Sequence, residues 1–141
     1  MTQRISIVDY GMGNLRSVGK ALEHVGAEPF LTSDHERVRE ADGIVLPGVG
    51  AMPKAMERVR ELALDRLLRE RVEASVPVIG LCMGMQLLFA GSDEDDAKCL
   101  ELGSKCAPPP AGTPGAGNTC RAAHPHGVQG IRVYKDGRDR W

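Results

Sequence analysis

Val76-Pro77-Val78-Ile79-Gly80-Leu81-Cys82-Met83-Gly84-Met85-Gln86-Leu87-Leu88 carries a strand, a turn and a helix in thirteen residues. It opens as an apolar β run through Leu81 and continues from Met83 to Phe89 with the composition of a short helix. Between them lies Gly80-Leu81-Cys82-Met83-Gly84, of the form Gly-x-Cys-x-Gly. A strand, a tight turn with small neighbours and a helix make a nucleophile elbow, here with sulfur in place of a serine oxygen. Such a turn lifts the thiol above the sheet and sets it near a helix N-terminus, which favours negative charge on sulfur. The backbone N–H of Met83 then points toward a developing oxyanion. An isolated cysteine in a Gly-rich turn reads more simply as a buried structural residue. The strand–turn–helix context reverses that preference for Cys82.

Upstream, strands and helices alternate. Ile5–Val8 is a short β run, and Asn14 can cap a helix with apolar positions Leu15, Val18, Leu22 and Val25, ended by Gly26. Glu28–Thr32 is a second strand, followed from Ser33 or Asp34 by a short polar helix toward Ala41. Gly43–Leu46 is a third strand, stopped by Pro47-Gly48. Helices follow from about Met52 and along Leu64, Leu67, Leu68 and Val72. This alternation predicts an α/β fold, a doubly wound, mostly parallel sheet with helices on both faces. Chemistry in such folds sits at the carboxyl ends of the strands, where all three Gly-rich segments fall: Asp9–Asn14, Pro47–Gly50 and Gly80–Gly84.

The amides of Pro47-Gly48-Val49-Gly50 can form a second oxyanion donor, or the segment is an ordinary strand-to-helix turn. Asp9–Asn14 lines a site or a partner surface, or is a turn plus helix cap. It is no dinucleotide fingerprint, because the pattern needs glycine where Arg16 stands. Gln86 lies one helical turn from Cys82, placed either to reach a polar substrate or to face solvent. His24 and His35 read as surface residues. His124 and His126 flank Pro125 in a weakly apolar tail, with no strand evident to hold either against Cys82.

Lys plus Arg is 18 and Asp plus Glu 19 in 141 residues, a net charge of -1 that argues against a nucleic-acid or polyphosphate surface. No apolar run approaches the roughly 18 residues a membrane helix needs. The N-terminus enters a strand-like run at once with no signal-peptide pattern, which predicts the cytosol. Cys82, Cys99, Cys106 and Cys120 show no Cys-x2-Cys spacing, so neither a zinc site nor, in the cytosol, a disulfide framework is expected. Composition shifts near residue 92: Leu100, Leu102, Val128, Ile131 and Val133 are the tail's whole supply of Val, Ile, Leu, Phe and Met in 49 residues. Residues 1–92 therefore read as one unit and 93–141 as a divergent, disordered tail, with Ala107–Asn118 low in complexity and 103–118 without regular structure.

Three segments together carry a resemblance: Ile7-Val8-Asp9-Tyr10-Gly11-Met12-Gly13-Asn14-Leu15-Arg16-Ser17, Leu46-Pro47-Gly48-Val49-Gly50-Ala51, and Gly80–Leu88. Over about residues 4–92 they closely resemble the glutaminase subunits of imidazole glycerol phosphate synthase, which are class I (triad) glutamine amidotransferases. The resemblance implies that Cys82 attacks the carboxamide of glutamine, and that amides of Val49 or Gly50, with Met83, hold the oxyanion. Gly48 and Gln86 would bind substrate, without cofactor or metal. The ammonia would pass to a barrel-shaped cyclase subunit that makes imidazole glycerol phosphate and aminoimidazole carboxamide ribotide in histidine biosynthesis. The family's His-x-Gly-Trp-Asn segment and its Phe-His-Pro-Glu segment, which carries the triad histidine and glutamate, do not occur in these 141 residues. The fold is therefore expected to be incomplete at the C-terminus and activity impaired. The alternative is a catalytically dead fragment or interaction module.

Overall fold

The computed structural model describes residues 2–89, 91–92, 97–102 and 128–130. Its elements run β1 (Arg4–Val8), α1 (Leu15–His24), β2 (Glu28–Thr32), α2 (His35–Arg39), β3 (Gly43–Leu46), α3 (Met52–Glu61), α4 (Leu64–Glu73), β4 (Val78–Gly80) and α5 (Met83–Leu87). Short strands β5 (Gly91–Ser92), β6 (Ala97–Lys98) and β7 (Val128–Gly130) follow. One sheet has the order β2-β1-β3-β4-β7, with every neighbouring pair parallel. β5 and β6 form an antiparallel pair of their own.

Local chemistry explains most boundaries. Asn14 caps α1 as expected, its side chain accepting from the Ser17 N–H at 3.3 Å, and Gly26 follows the helix at φ 86°. At α2 the cap is Asp34 rather than Ser33, accepting from the Arg37 N–H at 3.1 Å. The strand expected over Val76–Leu81 shortens to Val78–Gly80 because its ends are committed elsewhere. The Val76 N–H donates to the Arg71 carbonyl at the end of α4, Pro77 has no N–H, and the Leu81 N–H turns to the Leu46 carbonyl. α5 likewise stops before Leu88, where the chain receives the 100–102 segment: Leu100, Glu101 and Leu102 donate to the carbonyls of Leu87, Phe89 and Leu88.

The main core lies on the sheet face carrying Val8, Ile44, Leu46 and Val78. Met52, Met56 and Val59 of α3, Leu64, Leu67, Leu68 and Val72 of α4, and Leu87 of α5 close over it. Leu100 and Leu102, beyond residue 92, are buried in the same cluster. Arg60 and Arg69 hold their segment by donating to the carbonyls of Lys98 and Leu100, each at 2.8 Å. The opposite face is covered by α1, whose Gly19 packs on Ile7, and a groove of about 330 Å³ remains beside it, lined by Ile5, Leu22, Val25, Val45 and Ile79 among others. Residues 103–118, expected to be irregular, lie outside the described residues, as do His124 and His126. The tail nonetheless supplies β7 beside β4. Pairing there needs only backbone groups, so side-chain patterning gave no sign of it.

Leu68 of α4 is fully buried in the main core cluster. Leu68→Ala is expected to cost about 2–5 kcal/mol, the transfer term plus the cavity. A urea melt that moves by less than about 1 kcal/mol would show that α4 does not close the core.

Candidate active site

The loops leaving β1, β3 and β4 meet at the carboxyl end of the sheet. Cys82 sits between β4 and α5 with φ 55° and ψ -121°, a conformation costly for any residue with a Cβ. Its side chain is exposed. The surrounding hydrogen bonds hold the turn closed: Leu81 N–H to the Leu46 carbonyl at 2.9 Å, Gly84 N–H to the Leu81 carbonyl at 2.9 Å, and Met85 N–H to the Cys82 carbonyl at 3.0 Å.

The glycines are required by contact. A Cβ on Gly80 would lie 2.6 Å from the Met85 nitrogen, and one on Gly84 would fall on the Leu46 carbonyl oxygen. At Gly48 it would lie 2.6 Å from the Gly84 nitrogen, 3.1 Å from the Met83 carbonyl carbon and 2.9 Å from the Tyr10 hydroxyl. The expected site residues Gly48, Met83 and Cys82 are therefore in one place, with the loop after β3 lying directly on the elbow. Val49 is 51% exposed, and Gly50 has φ 97°. Among the described residues, the N–H groups of Gly48, Val49, Gly50 and Met83 donate to no backbone carbonyl. These N–H groups therefore carry no backbone bond in the loop and turn that meet beside Cys82. Gln86 is half-buried on α5, its own N–H directed to the Cys82 carbonyl at 3.4 Å.

Tyr10 lies against the loop after β3, and the sequence singled out only its segment, Asp9–Asn14, and not the residue itself. It is fully buried, and its hydroxyl donates to the Pro47 carbonyl at 2.6 Å. Burial pushes the phenol up to about 12. The available signal was an aromatic residue inside an otherwise Gly-rich loop, since a phenol there must find both a pocket and an acceptor. Neither described histidine hydrogen-bonds Cys82: His24 is exposed at the end of α1, and the His35 Nε2 lies 2.8 Å from the Leu62 carbonyl. No group of three or more metal-ligating side chains occurs among the described residues, and none of their helices is long and apolar enough to cross a membrane.

A family model for class-I glutamine amidotransferases matches residues 6–139. The chain belongs to the class-I glutamine amidotransferases. The match takes in most of 93–141 as well as the strand–helix part. Among curated relatives, the amidotransferase chain is 53% identical over 99 residues to the imidazole glycerol phosphate synthase subunit HisH of Bacillus cereus (strain AH187), covering 70% of this chain and 47% of that protein. It is 52% identical over 99 residues to the subunit of the same name from Bacillus anthracis (strain CDC 684 / NRRL 3495), with the same coverage of 70% and 47%. The chain thus spans about half the length of the curated relatives it matches. A crystal structure of a glutamine amidotransferase superimposes with a TM-score of 0.61 at 21% identity, covering 70% of this chain and 52% of the other, and shares the fold.

Proposed function

We propose that this chain is a glutaminase-subunit sequence of imidazole glycerol phosphate synthase, built to release ammonia from glutamine in the cytosol for a cyclase partner in histidine biosynthesis. One observation supports the reading: an exposed cysteine at a strained elbow, with Gly48 of the loop after β3 packed on Met83 and Gly84 of that elbow. Cys82 is the nucleophile. Its sulfur attacks the carboxamide carbon of glutamine, the N–H groups of Met83 and of Val49 or Gly50 hold the oxyanion, and Gly48 and Gln86 bind the substrate. Collapse of the tetrahedral intermediate expels ammonia and leaves a γ-glutamyl thioester, which water hydrolyses to glutamate. No cofactor enters these steps. The ammonia passes to the barrel-shaped cyclase subunit, which uses it to make imidazole glycerol phosphate and aminoimidazole carboxamide ribotide.

A second reading, a catalytically dead fragment or interaction module, is favoured by one observation: the two described histidines are placed away from the thiol, one of them held by the Leu62 carbonyl.

A chloroketone analogue of glutamine separates a shaped glutamine site from a bare surface thiol. Peptide mapping should find the adduct on Cys82, formed at least about tenfold faster than on Cys99, whose half-buried thiol is pushed up by burial. Glutamine should slow the labelling, and Cys82→Ser should abolish it. Equal labelling of several cysteines without protection by glutamine would refute the site.

A further inference from the structure

The loop after β1 grips the loop after β3 at three points. The Tyr10 hydroxyl donates to the Pro47 carbonyl at 2.6 Å. Gly13, at φ 123°, lies so close that a Cβ there would sit 3.0 Å from the Pro47 Cβ and 3.5 Å from the Gly48 nitrogen. Met12 closes the far end, its Cε 3.2 Å from the place of a Cβ on Gly50. The gripping loop is itself shaped locally, with the Gly11 N–H donating to the Asp9 carboxylate at 3.2 Å and φ 85° at Gly11.

We propose that Tyr10 is a positioning residue for the glutaminase centre: its hydroxyl, by holding the Pro47 carbonyl, fixes the 47–48 peptide and through it the direction of the Val49 and Gly50 N–H groups that receive the oxyanion beside Cys82. The inference rests on the reading of that centre given above. The Pro47 carbonyl and the Gly48 N–H belong to one rigid peptide plane, so a bond to the oxygen fixes where the nitrogen points. The next two peptides are built on glycines and have no backbone hydrogen bond of their own among the described residues, so the plane at 47–48 is the anchor from which they start. Tyr10 suits this work because it is fully buried and stays protonated across the working pH range, so the hydroxyl always donates. Oxyanion donors act by being fixed before charge develops, and small misalignments are costly in rate.

The test uses two electrophiles on the 141-residue chain. The chloroketone analogue of glutamine reacts through a carbonyl whose oxygen gains charge, whereas iodoacetamide alkylates the same sulfur by direct displacement of iodide with no oxyanion. Tyr10→Phe keeps the ring and removes the donor. The expected result is a roughly tenfold slower reaction of Cys82 with the chloroketone and an unchanged rate with iodoacetamide. An unchanged chloroketone rate, or an equal fall in both rates, would overturn the proposal. If Tyr10→Phe does not fold, a Tyr134→Phe chain grown with 3-fluorotyrosine leaves Tyr10 as the single labelled site. It keeps the fold and alters only the donor strength of the hydroxyl. There the chloroketone rate should change by at least about twofold with the iodoacetamide rate constant, and no change overturns the assignment. Failure of the underlying reading looks different: the unsubstituted chain would show no glutamine-protected labelling of Cys82, and this inference would fall with it.

Discussion

Gly84→Ala is expected to cost at least about 3 kcal/mol and to abolish labelling of Cys82 by glutamine-like electrophiles. Gly84 is the second residue of α5, and local preference alone would favour alanine in a helix by about 1 kcal/mol. Tertiary contact reverses the sign. The added Cβ would fall on the Leu46 carbonyl oxygen, with the Pro47 carbonyl carbon 2.9 Å away. These are backbone atoms at the end of a central strand, so no flexible side chain can yield. The Leu46 carbonyl also accepts the Leu81 N–H, and moving it breaks the bond that seats the elbow on β3. Gly26→Ala is the control: it has φ 86° but nothing within 4 Å of its added Cβ, so only backbone strain of about 1 kcal/mol applies. Urea melts of the two variants decide the matter. A Gly84→Ala chain as stable as Gly26→Ala would mean that the elbow does not pack on β3 as described.

The second large effect concerns turnover. The 141-residue chain should hydrolyse glutamine at least about a hundredfold, and up to about ten-thousandfold, more slowly than an amidotransferase equipped with a general base. Three proton movements need such a group: removal of the thiol proton, protonation of departing ammonia and activation of water on the thioester. His35 is committed to the Leu62 carbonyl, and His24 is exposed at the end of α1. Alkylation should survive, because it needs the sulfur and the oxyanion donors but no proton delivered to a leaving amine. The measurement is glutamate release with and without a cyclase subunit, beside Cys82→Ala. A rate ordinary for intact amidotransferases that vanishes in Cys82→Ala would sink the prediction and make His124 or His126 the candidate base.

The elements that position the site are largely legible in the sequence. β1, β2 and β3, the two helices after Met52 and the elbow follow from runs of apolar residues, a cap at Asn14 and glycines at the turns. All are short-range signals in which a residue's own conformational preference and its near neighbours decide. Sequence and structure differ at element ends. Val76 and Leu81 look like strand residues, yet their N–H groups are taken by α4 and by β3. Phe89 looks helical, yet the chain there is already bonded to the 100–102 segment.

Hydrophobic period and turn chemistry act locally, so the parallel α/β order, the carboxyl-end placement of the three Gly-rich segments and Cys82 at the elbow are written in the residues themselves. Packing across the sheet sets the rest: Gly48 lies against Met83 and Gly84, Leu100 and Leu102 join the core, and Tyr10 holds Pro47. Tyr10 and Pro47 are 37 residues apart. Their bond exists because β1 and β3 are neighbours in the sheet, and contact between side chain and backbone at that separation is set by packing, which no local pattern records.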